Sequence, residues 1–129
     1  MAYPATYKYT KEHEWLAIDG TTGSIGITDY AQNSLGDIVF VELPKVGDTL
    51  EAGKTFGSIE SVKSVSDLFS PVSGTVTAVN DHLANAPETI NAEANTTWII
   101  KLQLGDPAQV DALLSAADYE AFISEETGH

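Results

Sequence analysis

The sequence contains no cysteine, no arginine and a single methionine, its first residue. Without cysteine there is no disulfide, no thiolate nucleophile and no cysteine-based metal site. Positive charge is scarce as well: six lysines stand against 19 acidic residues, a formal charge of −13. Such a surface repels nucleic acid and anionic lipid and suits protein partners with basic docking faces. No apolar run approaches membrane-spanning length. The opening MAYPATYKYTKEHEW has neither the apolar core of a signal peptide nor the arginines of a transit peptide. A soluble, cytoplasmic protein is the expectation, with no nucleic-acid or membrane partner.

What is present is enough to fold. Hydrophobic residues make up 43% of 129 positions, which predicts one domain over residues 1–129 with a modest core. Residues 6–20 read as a strand ending at the Asp19-Gly20 turn, with Gly23–Thr28 as its partner. Thr28 or Asp29 can cap a short helix that Gly36 ends. Strands are predicted over 37–43, over 55–62 and over 66–80, the last bent at Pro71 and Gly74, and a terminal strand runs from Trp98 to Leu104. Residues 81–97 read mostly as loops and turns. Two helices are predicted at about 106–126. Asp106 and Pro107 open the first, and Ser115–Asp118 resembles a capping box for the second, which carries Tyr119, Phe122 and Ile123.

Catalytic constellations are missing. There is no G-x-S-x-G elbow, no G-x-G-x-x-G and no P-loop. His129 is the last residue and belongs to an expected disordered end; His82 falls in a loop. On a strand, Glu12 and Glu14 face one way and His13 the other, which speaks against a metal cluster and for solvated or structural roles. The 19 carboxylates read as a solvated face from which no acid/base pair stands out.

Lys63 is different. It stands between two strand-like stretches, near the midpoint of a coarse repeat of strand, Gly-rich turn and strand, flanked by Ser61, Val62, Ser64 and Val65. A Schiff-base or general-base lysine needs burial to lower its pKa, whereas this one is expected at an exposed tip. An exposed lysine is ordinarily just a surface residue. At a protruding turn it can also be acylated, which replaces the charge with a long neutral arm. Glu60 before it and Asp67 after it could give a modifying enzyme its register.

The segment ESVKSVSDLFSPVSGTVTAVN (60–80) resembles the lipoylation segment of the glycine cleavage system H-protein family. YTKEHEWLAIDG, SIGITDYAQNSLGDIVFVELPKVGDTLEAG and DPAQVDALLSAADYEAF resemble the same family, in the same order and at its spacing. The resemblance covers nearly the whole chain and implies a mainly β, barrel-sandwich hybrid fold with short helices, two of them C-terminal. It implies a non-catalytic carrier with lipoate amide-linked to Lys63, so that the working sulfurs belong to the cofactor. The implied partners are the pyridoxal-phosphate glycine decarboxylase (P protein), the tetrahydrofolate-dependent aminomethyltransferase (T protein), dihydrolipoyl dehydrogenase (L protein), and a lipoate ligase or lipoyl/octanoyl transferase. A monomer is expected. By the same resemblance Glu14 is a candidate to hold the amine of the loaded arm, and Glu60 and Asp67 are candidates for arm contact or enzyme recognition.

The chain departs from the family pattern at 91–98, which lacks two glycines and is one residue short, and at Ser64, where alanine is common. Other readings are a biotinyl carrier, a lipoyl domain of a 2-oxo acid dehydrogenase, or an acidic binding protein whose Lys63 stays free. The first expects methionines beside the lysine and the second long linkers; neither is present.

Overall fold

The structure is a computed structural model that describes residues 3–127; His129 lies outside them. Among the described residues, nine strands form two antiparallel sheets. The larger joins β1 (Lys8–Tyr9), β2 (Glu14–Asp19), β3 (Thr22–Ile27), β9 (Ile100–Leu104), β8 (Gly74–Val79) and β5 (Thr49–Leu50), in that order; the smaller joins β4 (Ile38–Glu42), β6 (Thr55–Ser61) and β7 (Val65–Phe69). This is the mainly β architecture that the sequence predicts.

The period-2 pattern explains how the sheets face each other. In β9, Ile100, Leu102 and Leu104 are buried while Lys101 and Gln103 are exposed. Their side chains meet Leu16, Ile25 and Ile27 of the same sheet and Ile38, Val41, Ile59 and Leu68 of the other, in one apolar cluster. The predicted bend at Pro71 and Gly74 is where the chain leaves the small sheet after β7 and enters the large one at β8. The stretch 66–80 is therefore two strands rather than one.

A second, aromatic cluster joins the large sheet to the C-terminal helix. Tyr9, Trp15, Ala116 and Tyr119 form its buried centre, with Tyr9 stacked on Tyr119 at 4.9 Å between ring centroids. The C-terminal helix α4 (Ala116–Thr127) supplies Tyr119. The segment before α4 is tied down by paired backbone bonds between Tyr9 and Leu114, each 2.8 Å. Ser115 Oγ accepts from the Asp118 N–H at 3.1 Å, which is half of the predicted capping box. The first C-terminal helix is a 3-10 helix (Pro107–Ala112), capped by Asp106 as expected.

Two further expectations need correcting. Residues 81–97 are not mostly loop: they hold α2 (His82–Asn85) and α3 (Thr89–Glu93), which bury Leu83 and Ile90. Nor are residues 6–20 one strand. The chain turns between β1 and β2, and His13 there adopts φ of 69°, a left-handed conformation. Glu12, His13 and Glu14 therefore do not alternate along a strand.

The Tyr119 hydroxyl stands 2.7 Å from Thr28 Oγ1 and 2.8 Å from His13 Nδ1. Removing it leaves two polar groups facing an apolar edge. Tyr119→Phe is expected to lower unfolding free energy by about 1–3 kcal/mol, measured by urea denaturation, with no change in the modification of Lys63.

Candidate functional site

Lys63 occupies the tip of the β6–β7 hairpin. The ladder closes with the Ser61 N–H donated to the Ser64 carbonyl at 2.8 Å, leaving Val62 and Lys63 as a two-residue turn. Two-residue hairpins favour turns with positive φ, yet neither residue has one. Ser61 supports the turn instead: its Oγ accepts from the Ser64 N–H at 3.2 Å. Val62, Lys63, Ser64 and Val65 are all exposed.

The hairpin is braced against α1 (Asp29–Leu35). Thr28 caps that helix through the Ala31 N–H, and Gly36, at φ 79°, ends it. The Val62 N–H donates to the Asp37 carbonyl at 3.0 Å. Lys63 then lays its stem over Gly36: a Cβ there would stand 3.4 Å from Lys63 Cε. Glycine is favoured at Gly36 both by its φ and by this close approach. Asn91 of α3 fixes the same corner. Its amide donates to the Gly36 carbonyl at 2.9 Å and to Gln32 Oε1 at 3.0 Å, and its Oδ1 accepts from the Ile38 N–H at 2.9 Å. Asn95 Oδ1 accepts from the Asp29 N–H at the other end of α1. Neither asparagine stands out in the sequence, because an asparagine among alanines and threonines looks like any turn residue.

Between α1 and the hairpin runs a cleft of about 140 Å³. Ala31, Ser34 and Leu35 line the helical side; Ile59, Ser66, Asp67 and Leu68 line the sheet side; Ile27 and the Glu12–Glu14 turn are also in its wall. Glu14 and Asp67, far apart in sequence, thus meet in one cleft. Lys63, over Gly36, stands next to its helical wall. Glu60 lies elsewhere: Ile59 lines the cleft, and along a strand the next side chain points to the opposite face. A wider, open hollow of about 390 Å³ lies elsewhere, between α1, Tyr3 and α4.

Glu14 is no solvated strand acid. It is 2% exposed, and its two oxygens accept from the Phe69 N–H at 2.9 Å and the Thr10 hydroxyl at 2.9 Å. Burial pushes its carboxyl up to about 8, against the opposing pull of those two hydrogen bonds. His13 is half-buried beside it, and burial lowers its pKa although Glu126 and Glu12 favour the cation. Asp67 is exposed. Among the described residues no three metal-ligating side chains converge, and no helix is long and apolar enough to cross a membrane.

The comparisons with known proteins agree with this geometry. Residues 7–126 match the family model described as "Glycine cleavage H-protein". A "Glycine cleavage system H protein" of Acidobacterium capsulatum is 70% identical over 129 residues, covering both chains completely. One from Koribacter versatilis is 64% identical, again over both full lengths. Among solved structures, the crystal structure of a glycine cleavage system H protein from Mycobacterium marinum superposes with a TM-score of 0.81, at 36% identity over 98% of this chain and 99% of that one. The chain belongs to the glycine cleavage H-protein family.

Proposed function

We propose that this chain is the lipoyl-bearing shuttle of the glycine cleavage system, with lipoate held in amide linkage on Lys63. It carries the aminomethyl group from the glycine decarboxylase to the tetrahydrofolate-dependent aminomethyltransferase, and electrons to dihydrolipoyl dehydrogenase. The observation that carries this reading is the position of Lys63. An exposed amine stands on a braced two-residue tip, with its stem beside a cleft that contains a buried carboxyl group.

The residues present fit the group. Lys63 offers a reachable amine, Ile27, Leu35, Ile59 and Leu68 offer an apolar lining for a hydrocarbon arm, and Glu14 and Asp67 offer carboxyl oxygens. When bound, lipoate supplies the dithiol that a chain without cysteine cannot. Attachment requires the neutral Lys63 amine to attack the acyl carbon of an activated lipoyl donor such as an acyl adenylate. The amide C–N bond forms, the acyl C–O bond to phosphate breaks, AMP leaves with the electron pair, and the amine proton passes to solvent. Once the arm is loaded, an amine entering the cleft as a cation would favour the ionised form of Glu14 and lower its pKa. The Phe69 N–H and Thr10 hydroxyl already orient that carboxylate. Ile27, Leu35, Ile59 and Leu68 would exclude water from a group held between the cleft walls.

The chain itself acts as a carrier, not a catalyst, and works as one domain in the cytoplasm. The lipoylated protein alone is expected to show no exchange of the glycine carboxyl group with labelled bicarbonate. Adding the pyridoxal-phosphate decarboxylase turns exchange on. Exchange by the purified carrier alone, with decarboxylase excluded by mass spectrometry, would overturn this reading.

A further inference from the structure

The six large apolar side chains most exposed among the described residues are Ile18, Val39, Phe40, Val46, Val62 and Val65. Four of them, Val39, Phe40, Val62 and Val65, lie on β4 and at the β6–β7 tip, around Lys63. A bulge brings two of these to the surface. Ile38 pairs with Ser61 and Phe40 with Glu60, so two residues of β4 span one step of β6, and Val39 and Phe40 both remain exposed. Strict alternation would have exposed only one. The register then sets Phe40 beside Glu60 and Glu60 beside Val65, a row across all three strands. The Val62 N–H bond to the Asp37 carbonyl draws Val62 to the start of β4.

An exposed phenylalanine and three valines on one small sheet cost solubility unless something covers them. The acceptor amine itself says what does. An unmodified lysine is short, so an enzyme that acylates it must press against the residues flanking it. Enzymes that act on the far end of the finished arm have no such need. The surroundings add charge: Asp37, Glu42, Glu60 and Asp67 lie on the same sheet or its edge, while the lysines there are Lys63 at the tip and Lys54 at the opposite end of β6. The complementary surface is an apolar depression ringed by lysine or arginine. We propose that Val39, Phe40, Val62 and Val65 form the seat of the lipoate-attaching enzyme, with the acids steering its approach and the apolar patch holding it. The proposal rests on the reading of Lys63 as the attachment site.

The test uses the full, unmodified chain with a lipoate–protein ligase, lipoate and ATP, following mass gain at several acceptor concentrations. Phe40→Ser and, separately, Val65→Ser are expected to lower kcat/KM for the acceptor about tenfold or more, the size of losing one central apolar anchor. Val46→Ser, equally exposed but far from Lys63 in sequence and off the small sheet, is expected to match the parent. Val65, 66% exposed, serves if Phe40→Ser fails to fold, which circular dichroism reports. Modification of folded Val65→Ser and Phe40→Ser at the parent's rate overturns the proposal, as does equal slowing by Val46→Ser. If Phe40→Ser is lipoylated normally yet loses bicarbonate exchange with the decarboxylase, the patch belongs to that enzyme and the proposal also fails. A parent that gains no mass at all contradicts the reading of Lys63 instead, so the two failures are distinguishable.

Discussion

Lys63→Arg is expected to abolish lipoylation completely and to leave the fold intact. Arginine keeps the positive charge and the long aliphatic stem that lies over Gly36, and the position is exposed. Stability should therefore stay within about 0.5 kcal/mol of the parent. What disappears is a nucleophile. A lysine amine can lose a proton and attack an acyl carbon, whereas a guanidinium does not deprotonate in proteins. No other lysine is expected to substitute. Lys8, Lys11, Lys45, Lys54 and Lys101 lie off the braced tip between Ser61 and Ser64. Thermal unfolding should match the parent's while intact mass after incubation with ligase, lipoate and ATP stays unchanged, and reconstituted glycine cleavage falls to background. A lipoylated Lys63→Arg chain would move the attachment site elsewhere.

Glu14→Gln is expected to do the reverse, sparing attachment and changing the pH dependence of stability. The carboxyl of Glu14 has a folded-state pKa of about 8, raised from 4.5 by burial. Between those values the folded state holds a proton that the unfolded chain has released. Its contribution is therefore complete below about pH 4.5 and is lost as pH rises through 8. At about 1.4 kcal/mol per pH unit, the parent should lose roughly 2–3 kcal/mol from this group between pH 5 and pH 7, which is on the order of 10 °C in Tm for a small domain. The neutral amide of glutamine titrates nowhere in that range and can still accept from the Phe69 N–H. The difference in Tm between variant and parent should therefore grow in favour of the variant from pH 5 to pH 7. Subtracting the parent's profile from the variant's isolates the change that the Glu14 carboxyl causes. Parallel Tm profiles would show that the Glu14 site is hydrated enough to keep an ordinary acid.

The caps at Thr28, Gly36 and Asp106 were readable because each rests on a local hydrogen bond or a local φ. The alternation of β9 was readable because one face meets the core and the other meets water. The place of Lys63 at an exposed hairpin tip was readable because strand-like stretches flank it on both sides. Glu14 was not. In β2, Glu14, Trp15 and Leu16 are all buried, so alternation carries no information there: the aromatic cluster of Tyr9 and Tyr119 covers the face that would otherwise be wet. Half of that cover, Tyr119, arrives from α4, a hundred residues away in the chain, and no pattern local to β2 announces it. The left-handed turn at His13 has no glycine or asparagine to mark it. Helices α2 and α3 are only four and five residues long, too short to show a period of 3.6. The hold of Asn91 in α3, and of Asn95 just after it, on α1 is tertiary.

The central claim is that this chain acts by carrying lipoate on Lys63. Intact-mass measurement with peptide mapping, after expression with lipoate available, tests it most directly. The predicted result is a single lipoyl addition located on the peptide containing Lys63. A chain that stays unmodified in the presence of an active ligase, or that carries its addition on any other lysine, would contradict it.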